Sequence, residues 1–194
     1  MKSFNIAAYI SGSGSNLKSV IESSLSGKIA SKVKLVIANK EVSGLDYPRT
    51  CGIETAVVSR KLHSREEFIK IQTGLLDKHN IDLIILAGFL KKLPVEIVRE
   101  YEGKILNIHP ALLPKFGGKG MHGMIVHKAV IEAKEEFSGP TVHFVDEIYD
   151  NGKILLQKKI KINENETPGS LQKRVLEKEH EILTEAIKLL EGNE

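Results

Sequence analysis

The chain reads as an α/β protein: one open, mostly parallel twisted sheet of about seven strands, helices on both faces, a Rossmann-like N-terminal half and an antiparallel strand pair near the C-terminus. Three observations predict this. Short continuous runs of Ile, Val and Leu alternate with longer stretches of helical period, as for strands covered on both faces and joined by crossover helices. The first such run ends in a glycine- and serine-rich turn that opens a helix. Near the C-terminus, Asp150-Asn151-Gly152 separates two strand-like runs, and Asn-Gly is a hairpin signal.

Taken in order, strands are predicted over residues 4–10, 33–38, 55–58, 83–87, 104–108, 141–145 and 153–160. Leu17, Val20, Ile21 and Leu25 recur at helical spacing after the first strand. Ser64 followed by Glu67 has the form of a capping box, opening a helix that carries Phe68, Ile71 and Leu75. Thr167-Pro168 marks another helix start, with proline at the tolerated first position, and that helix runs to about Leu190. No repeat or convincing linker interrupts the pattern, so residues 1–194 are expected to form one domain. Residues 1–100 would form its Rossmann-like half and 101–194 its second half.

Composition narrows the function classes. At 194 residues the chain can bury a sizeable core, and 41% hydrophobic with 27% charged residues is ordinary for a soluble protein. A net charge of +3, 5% aromatics and no Trp argue against a nucleic-acid partner, which calls for a concentrated basic patch with aromatics beside it. Lys158, Lys159 and Lys161 read as a solvated strand face. No run suits a signal segment or a membrane span, so no membrane partner is expected. A lone cysteine, Cys51, fits a reducing compartment, and the expected location is cytoplasmic.

Two segments carry chemistry. Ser11-Gly12-Ser13-Gly14-Ser15-Asn16-Leu17 lies between a strand and a helix, where small residues let backbone N–H groups face an anion. A tight turn capped by Ser15 or Asn16 would also explain it. A dinucleotide site fits poorly. Leu17 stands where the third glycine is required, and Asn39-Lys40 closes the second strand where an acidic ribose ligand is expected. A phosphate monoester suits the loop better. The second segment, Lys104-Ile105-Leu106-Asn107-Ile108-His109-Pro110, is a buried strand with polar residues at its carboxyl end, where parallel sheets bind ligands. Strand period puts Asn107 and His109 on one side, and Pro110 holds His109 extended. Asn supplies a neutral donor, and His can donate or exchange a proton near neutral pH. Geometry alone leaves a structural and a catalytic role equally open.

The run Asn107-Ile108-His109-Pro110-Ala111-Leu112-Leu113-Pro114-Lys115 closely resembles the core motif of the phosphoribosylglycinamide formyltransferases. The resemblance covers nearly the whole chain. Ile10 to Leu17 is similar to that family's phosphate loop, Leu86-Ala87-Gly88-Phe89-Leu90 to its folate-pocket strand, and Ser138 to Val145 to the strand leading to its catalytic aspartate. The resemblance implies transfer of the formyl group of 10-formyltetrahydrofolate, a cosubstrate, to the primary amine of glycinamide ribonucleotide in purine biosynthesis, with no metal. It implies that Asn107, His109 and Asp150 are catalytic, and that Gly14, Ser15, Asn16 and Glu179 contact the ribonucleotide. It further implies that Arg65, Leu90, Lys91, Lys92, Leu93 and Asn107 contact the folate. Lys91 stands where the family often has Arg, and Asn151 where it has Gly or Thr.

The implied reaction is direct amine attack on the formyl carbon. Asn107 and a protonated His109 would stabilise the oxyanion, while Asp150 keeps His109 charged and relays a proton. Read without the resemblance, Asp150 before Asn-Gly is ordinary turn chemistry. Glu179 has independent support, because it falls on the inward stripe of the last helix between Val175 and Leu183. His143 reads as structural or supporting. His122 and His127 flank a helix start, but their spacing fits no zinc motif. The glycine-rich stretch 116–123 is expected to be mobile and to close over the site. The other readings are a different formyl-transferring or formyl-hydrolysing folate enzyme, or a non-catalytic Rossmann-like nucleotide-binding module. Either a monomer or a homodimer would be compatible with the sequence.

Overall fold

The computed structural model describes residues 2–192. In chain order the elements are β1 (Asn5–Ile10), α1 (Ser15–Leu25), β2 (Lys32–Ala38), α2 (Asp46–Thr50), β3 (Glu54–Val57), α3 (Arg65–Lys78), β4 (Leu83–Leu86) and α4 (Val95–Glu100). There follow β5 (Ile105–His109), α5 (Met124–Glu132), β6 (Phe137–Ser138), β7 (Thr141–Phe144), β8 (Ile154–Gln157), β9 (Ile160–Lys161) and α6 (Pro168–Leu190).

Seven strands form one sheet in the order β3-β2-β1-β4-β5-β7-β8. The first five are parallel; β7 runs antiparallel to both β5 and β8. Alternation along β1 shows how the layers are built. Ile6, Ala8 and Ile10 pack with α1 and α6 on one face, and Ala7 and Tyr9 pack with residues of α3 and α4 on the other. A strand buried on both faces has to be apolar throughout, which is why it shows as a continuous run in the sequence. A third, smaller cluster joins α5 to α6 through Ala111, Val126, Val130, Leu171 and Val175.

Both predicted caps are present. Ser64 Oγ accepts from Glu67 N at 3.2 Å while Glu67 Oε2 accepts from Ser64 N at 2.9 Å. Thr167 and Ser170 do the same for α6 at 3.1 and 3.0 Å.

Three local expectations are corrected. The run 153–160 is two strands: β8 closes the main sheet, and β9 pairs with β6 in a separate two-stranded sheet. Asp150-Asn151-Gly152 is no two-residue hairpin, because β7 and β8 are joined by a long loop, residues 145–153. Gly152 is required there for space, since a Cβ would sit 1.9 Å from Phe144 O. Leu25, expected on the buried stripe of α1, is 67% exposed, and Ser23 and Ser24 are buried in its place. Their hydroxyls bond Thr184 Oγ1 and Ser31 O, so the inward face there is polar but satisfied.

The order reverses between β1 and β4, the crevice where open α/β sheets bind ligands. The loop after β1 is held tightly against a 3-10 turn at Ser43–Leu45. A Cβ on Gly44 would lie 2.4 Å from Gly12 O and 2.9 Å from Ser13 C, both backbone atoms. Gly44→Ala should therefore displace the 11–14 loop and cost about 1–3 kcal/mol of overpacking. Urea denaturation compared with wild type measures this, and an unchanged midpoint would show that the approach is not tight.

Candidate active site

β5 ends in the crevice, and its alternation brings Asn107 and His109 to one side, as predicted. Two further side chains join them. Asp150, from the loop after β7, lies with Oδ1 3.3 Å from Asn107 Nδ2 and Oδ2 3.5 Å from His109 Nδ1. His143, on β7 directly opposite Asn107, places Nε2 3.1 Å from Asn107 Nδ2 and 3.5 Å from Asp150 Oδ1. A register irregularity between Val142 and His143 in the β7·β8 pair lies at this position, and bulges of this kind re-aim side chains.

The surrounding hydrogen bonds set the tautomers. His143 Nδ1 lies 2.8 Å from Phe144 O, which can only accept, so its proton is on Nδ1 and Nε2 accepts from Asn107. His109 Nε2 likewise donates to Phe116 O at 2.8 Å. Asp150 also accepts from Gly118 N at 2.8 Å. The stretch 116–118 thus rests on the site, with Phe116 in the left-handed region at φ 57° and Gly118 at φ 100°. Its foundation is Thr141, whose Oγ1 donates to Ala111 O at 2.7 Å and accepts from Leu113 N at 3.1 Å. Gln157 bonds both Leu113 O and Thr141 Oγ1 at 2.9 Å.

The four side chains line a cleft of ≈ 660 Å³. At its other end are Ser13, Ser15 and Asn16 after β1, with Glu179 from α6. The cap of α1 differs from the expectation: it is Gly14, at φ 70°, with no side-chain hydrogen bond. Asn16 is instead buried and donates to Glu179 Oε2 at 2.5 Å, while its own Oδ1 has no partner. Gly14 shapes the loop without lining the cleft, since a Cβ there would meet Gly44 at 3.1 Å. Leu90, Lys91, Lys92 and Leu93 form the wall on the far side. Arg65 stands apart, at the first turn of α3, bonded to Glu96 Oε1 at 2.5 Å.

Residues 4–187 match the family described as Formyl transferase. The chain belongs to the formyl transferase family. It is 42% identical over 185 residues to the chloroplastic phosphoribosylglycinamide formyltransferase of Arabidopsis thaliana, a match that takes in 94% of this chain and 63% of that protein. It thus spans less than two thirds of the plant relative's length. With the phosphoribosylglycinamide formyltransferase of Escherichia coli K12 it shares 36% identity, over 92% of this chain and 82% of that one. The crystal structure of glycinamide ribonucleotide transformylase 1 from Symbiobacterium toebii superposes with a TM-score of 0.90 at 32% identity, covering 98% of this chain and 88% of that one. Among the described residues no helix is long and apolar enough to cross a membrane, and no group of three or more His, Cys, Asp or Glu side chains is placed to hold a metal ion.

Electrostatics modify one expectation of the sequence. Both ring nitrogens of His109 face acceptors, Phe116 O and Asp150 Oδ2, an arrangement that suits a charged ring. Burial opposes this and prevails over the pull of Asp150, holding the His109 pKa below its usual value. In the resting site His109 is therefore neutral at pH 7, where a carboxylate neighbour was expected to keep it charged. Asp150 is raised by desolvation but lowered more by His143, His109 and Gly118 together, so it stays ionised. Burial pushes Glu179 up, only partly offset by Asn16.

Sequence reasoning did not select Gln172, Lys173 and Leu176 of α6, which also line the cleft, nor His127. The α6 residues lie on the same side of the helix as Glu179, and that spacing was the signal available. His127 is on α5, buried, with Nδ1 unpartnered. Burial, with a smaller contribution from nearby His109, pushes its pKa down to about 4.

A histidine held neutral in the fold but free to charge on unfolding makes stability fall with acidification. The unfolded chain takes up the proton below about 6.5, and the folded one resists until about 4. Across that window His127 should cost about 3 kcal/mol. His127→Leu should flatten the loss of urea stability between pH 6.5 and 4 by an amount of that order; an unchanged pH slope would show that His127 charges freely in the folded protein.

Proposed function

We propose that the chain transfers the formyl group of 10-formyltetrahydrofolate to the primary amine of glycinamide ribonucleotide. The observation that carries this reading is one cleft with a donor-and-carboxylate cluster at one end, Asn107, His109, His143 and Asp150, and a helix N-terminus with a buried carboxylate at the other. The named relatives support it. Ser15, Asn16 and the free backbone N–H groups at the start of α1 take the substrate phosphate. Glu179 holds its ribose or amine, and the 90–93 wall takes the folate.

In the reaction the amine attacks the formyl carbon, forming the C–N bond and an oxyanion. Phe116 O occupies the hydrogen-bonding direction of His109 Nε2 in the resting site, so the 116–118 stretch withdraws before His109 can donate to that oxyanion. Asn107 exchanges its longer bond, 3.3 Å to Asp150, for a second bond to the same oxygen. Each such donor is worth roughly 2.7–4 kcal/mol of barrier. The ring stays neutral as negative charge grows, which leaves Asp150 free of an ion pair and able to take the amine's proton. Asp150, through water, passes the amine's proton to the folate nitrogen that leaves as the old C–N bond breaks. His143 keeps the Asn107 amide turned with its nitrogen towards the carboxylate.

The test is formation of formylated product from glycinamide ribonucleotide and 10-formyltetrahydrofolate, which should depend on the amine. Release of free formate without amine dependence would point to hydrolysis instead. Asp150→Asn should lower kcat by about 10²–10⁴-fold; near-full activity in a folded variant would remove Asp150 from the mechanism. The pH dependence of kcat/KM follows from the neutral ring. Between about 6.5 and the amine's own titration near ~8 it should rise with slope one. Below the depressed pKa of His109 the slope should steepen towards two. His109→Asn should keep slope one throughout, and an unaltered steep limb in that variant would exclude His109 as its source.

A further inference from the structure

Residues 145–153, the loop that carries Asp150, are folded on themselves. Asp146 Oδ1 accepts from Ile148 N at 2.7 Å, and its Oδ2 accepts from Asn151 Nδ2 at 3.0 Å. Both ends are tied to the sheet, Val145 N donating to Ile105 O and Phe144 N to Lys153 O, each at 2.9 Å. Apolar packing does little for the tip, because Ile148 and Tyr149 line the mouth of the cleft and are exposed. The tip is instead fastened from outside. Lys92 Nζ donates to Glu147 O at 2.6 Å and lies 5.6 Å from the centroid of the Tyr149 ring, within reach of a cation–π attraction. From α4, Arg99 Nε donates to Glu147 Oε1 at 2.8 Å.

Of the two fastenings, Lys92 is the stronger. Arg99 and Glu147 form an ion pair between two exposed side chains, which water screens. Lys92 grips a main-chain carbonyl, so its hydrogen bond has one charged partner and needs no second flexible side chain. The remaining bonds of Asp150 show when this hold matters. In the resting site its carboxylate accepts from Gly118 N at 2.8 Å and from Asn107 Nδ2 at 3.3 Å. In the proposed reaction both are given up, as the 116–118 stretch withdraws and Asn107 turns to the oxyanion. Asp150 must then keep its place for proton transfer without either donor. It must do so at a left-handed φ of 53°, which a non-glycine residue keeps only where the surrounding chain imposes it.

We infer that Lys92 is a positioning residue for Asp150: by fastening Glu147 and Tyr149 to the 89–93 wall, its ammonium holds the carboxylate in line once the 116–118 cover has lifted. The assignment rests on the proposed function. It sets the Lys92 side chain apart from the folate contacts of its own wall, where the sequence resemblance had placed it. A contact to the folate made equally before and during reaction would act on KM, whereas a hold on Asp150 acts on kcat.

The experiment measures kcat and KM for wild type, Lys92→Met, Asp150→Asn and the double variant. Methionine keeps most of the stem of this exposed side chain and removes the ammonium, so the fold is retained. Lys92→Met should lower kcat about 10–10²-fold, the scale of a reacting group misplaced by about an ångström, with KM for 10-formyltetrahydrofolate within about twofold of wild type. In the Asp150→Asn background the same substitution should change kcat by less than about twofold, because the group it positions is gone. A kcat kept near that of wild type, whatever the KM, or an equal fall in both backgrounds, overturns the inference. No product with wild type, or near-full activity of Asp150→Asn alone, counts against the proposed function instead. Hydrogen exchange on the substrate-free protein then decides whether Lys92 holds the loop. The Ile148 amide should exchange about tenfold faster in Lys92→Met, and an unchanged rate overturns the hold.

Discussion

Asp150 is a carboxylate only one-tenth exposed, set between two buried imidazoles, and much of the site's architecture can be read as the cost of keeping it there. An ionised carboxylate so far out of water needs donors or nearby positive charge. Asn107 from β5 and Gly118 from the loop above supply hydrogen bonds, and the His143 and His109 rings stand 3.5 Å from its two oxygens. These groups come from separate stretches of chain, so the carboxylate fixes their mutual positions as much as they fix its own. The antiparallel placement of β7 against β5 is what sets His143 across from Asn107. Gly117 shows how close the fit is: a Cβ there would stand 2.5 Å from Leu113 Cδ2 and 3.2 Å from Asp150 Cβ.

The same interaction explains why the resting site is covered. Phe116 O and Gly118 N satisfy His109 and Asp150 when nothing else does. These are the contacts that a formyl oxygen and a solvent-linked proton path would replace. At its base, Thr141 and Gln157 hold Ala111 and Leu113 independently of the 116–118 contacts. The cover is made of single hydrogen bonds to a neutral ring and a shared carboxylate, so in the proposed reaction its release would cost little beside the hydrogen bonds an oxyanion would accept in its place.

How much of this was legible in the sequence follows from what each feature depends on. The parallel strands and the two capped helices rest on local patterns, period and capping chemistry, and they were read correctly. The pair Asn107 and His109 was legible because strand period alone puts them together. Failures came where the outcome depends on distant partners. The split of 153–160 is decided by whether β6 is there to receive β9, and a two-residue β6 carries no pattern of its own. Asp150 looked like turn chemistry because its neighbours in sequence, Asn151 and Gly152, are turn residues, while Asn107 and Gly118, which hydrogen-bond it, are 43 and 32 positions away. Asn16 looked like a cap because its position suits one, but Gly14 takes the cap and leaves its amide for Glu179, 163 residues on.

That last contact closes the cleft at the end remote from Asp150, and the two ends make opposite demands on a carboxylate. Asp150 has enough donors to remain charged. Glu179 has one amide and deep burial, and the burial raises its tendency to hold a proton more than the amide lowers it. A charged Glu179 would repel a phosphate lodged on the neighbouring helix N-terminus, whereas a carboxyl whose burial favours the protonated form can donate to a sugar oxygen when it holds a proton and accept when it does not. The unpartnered Asn16 Oδ1 in the same place leaves a further acceptor for such a ligand. The number of donors around each carboxylate thus shifts the two in opposite directions, Asp150 down and Glu179 up, and in the proposed function that sets the binding end apart from the reacting end.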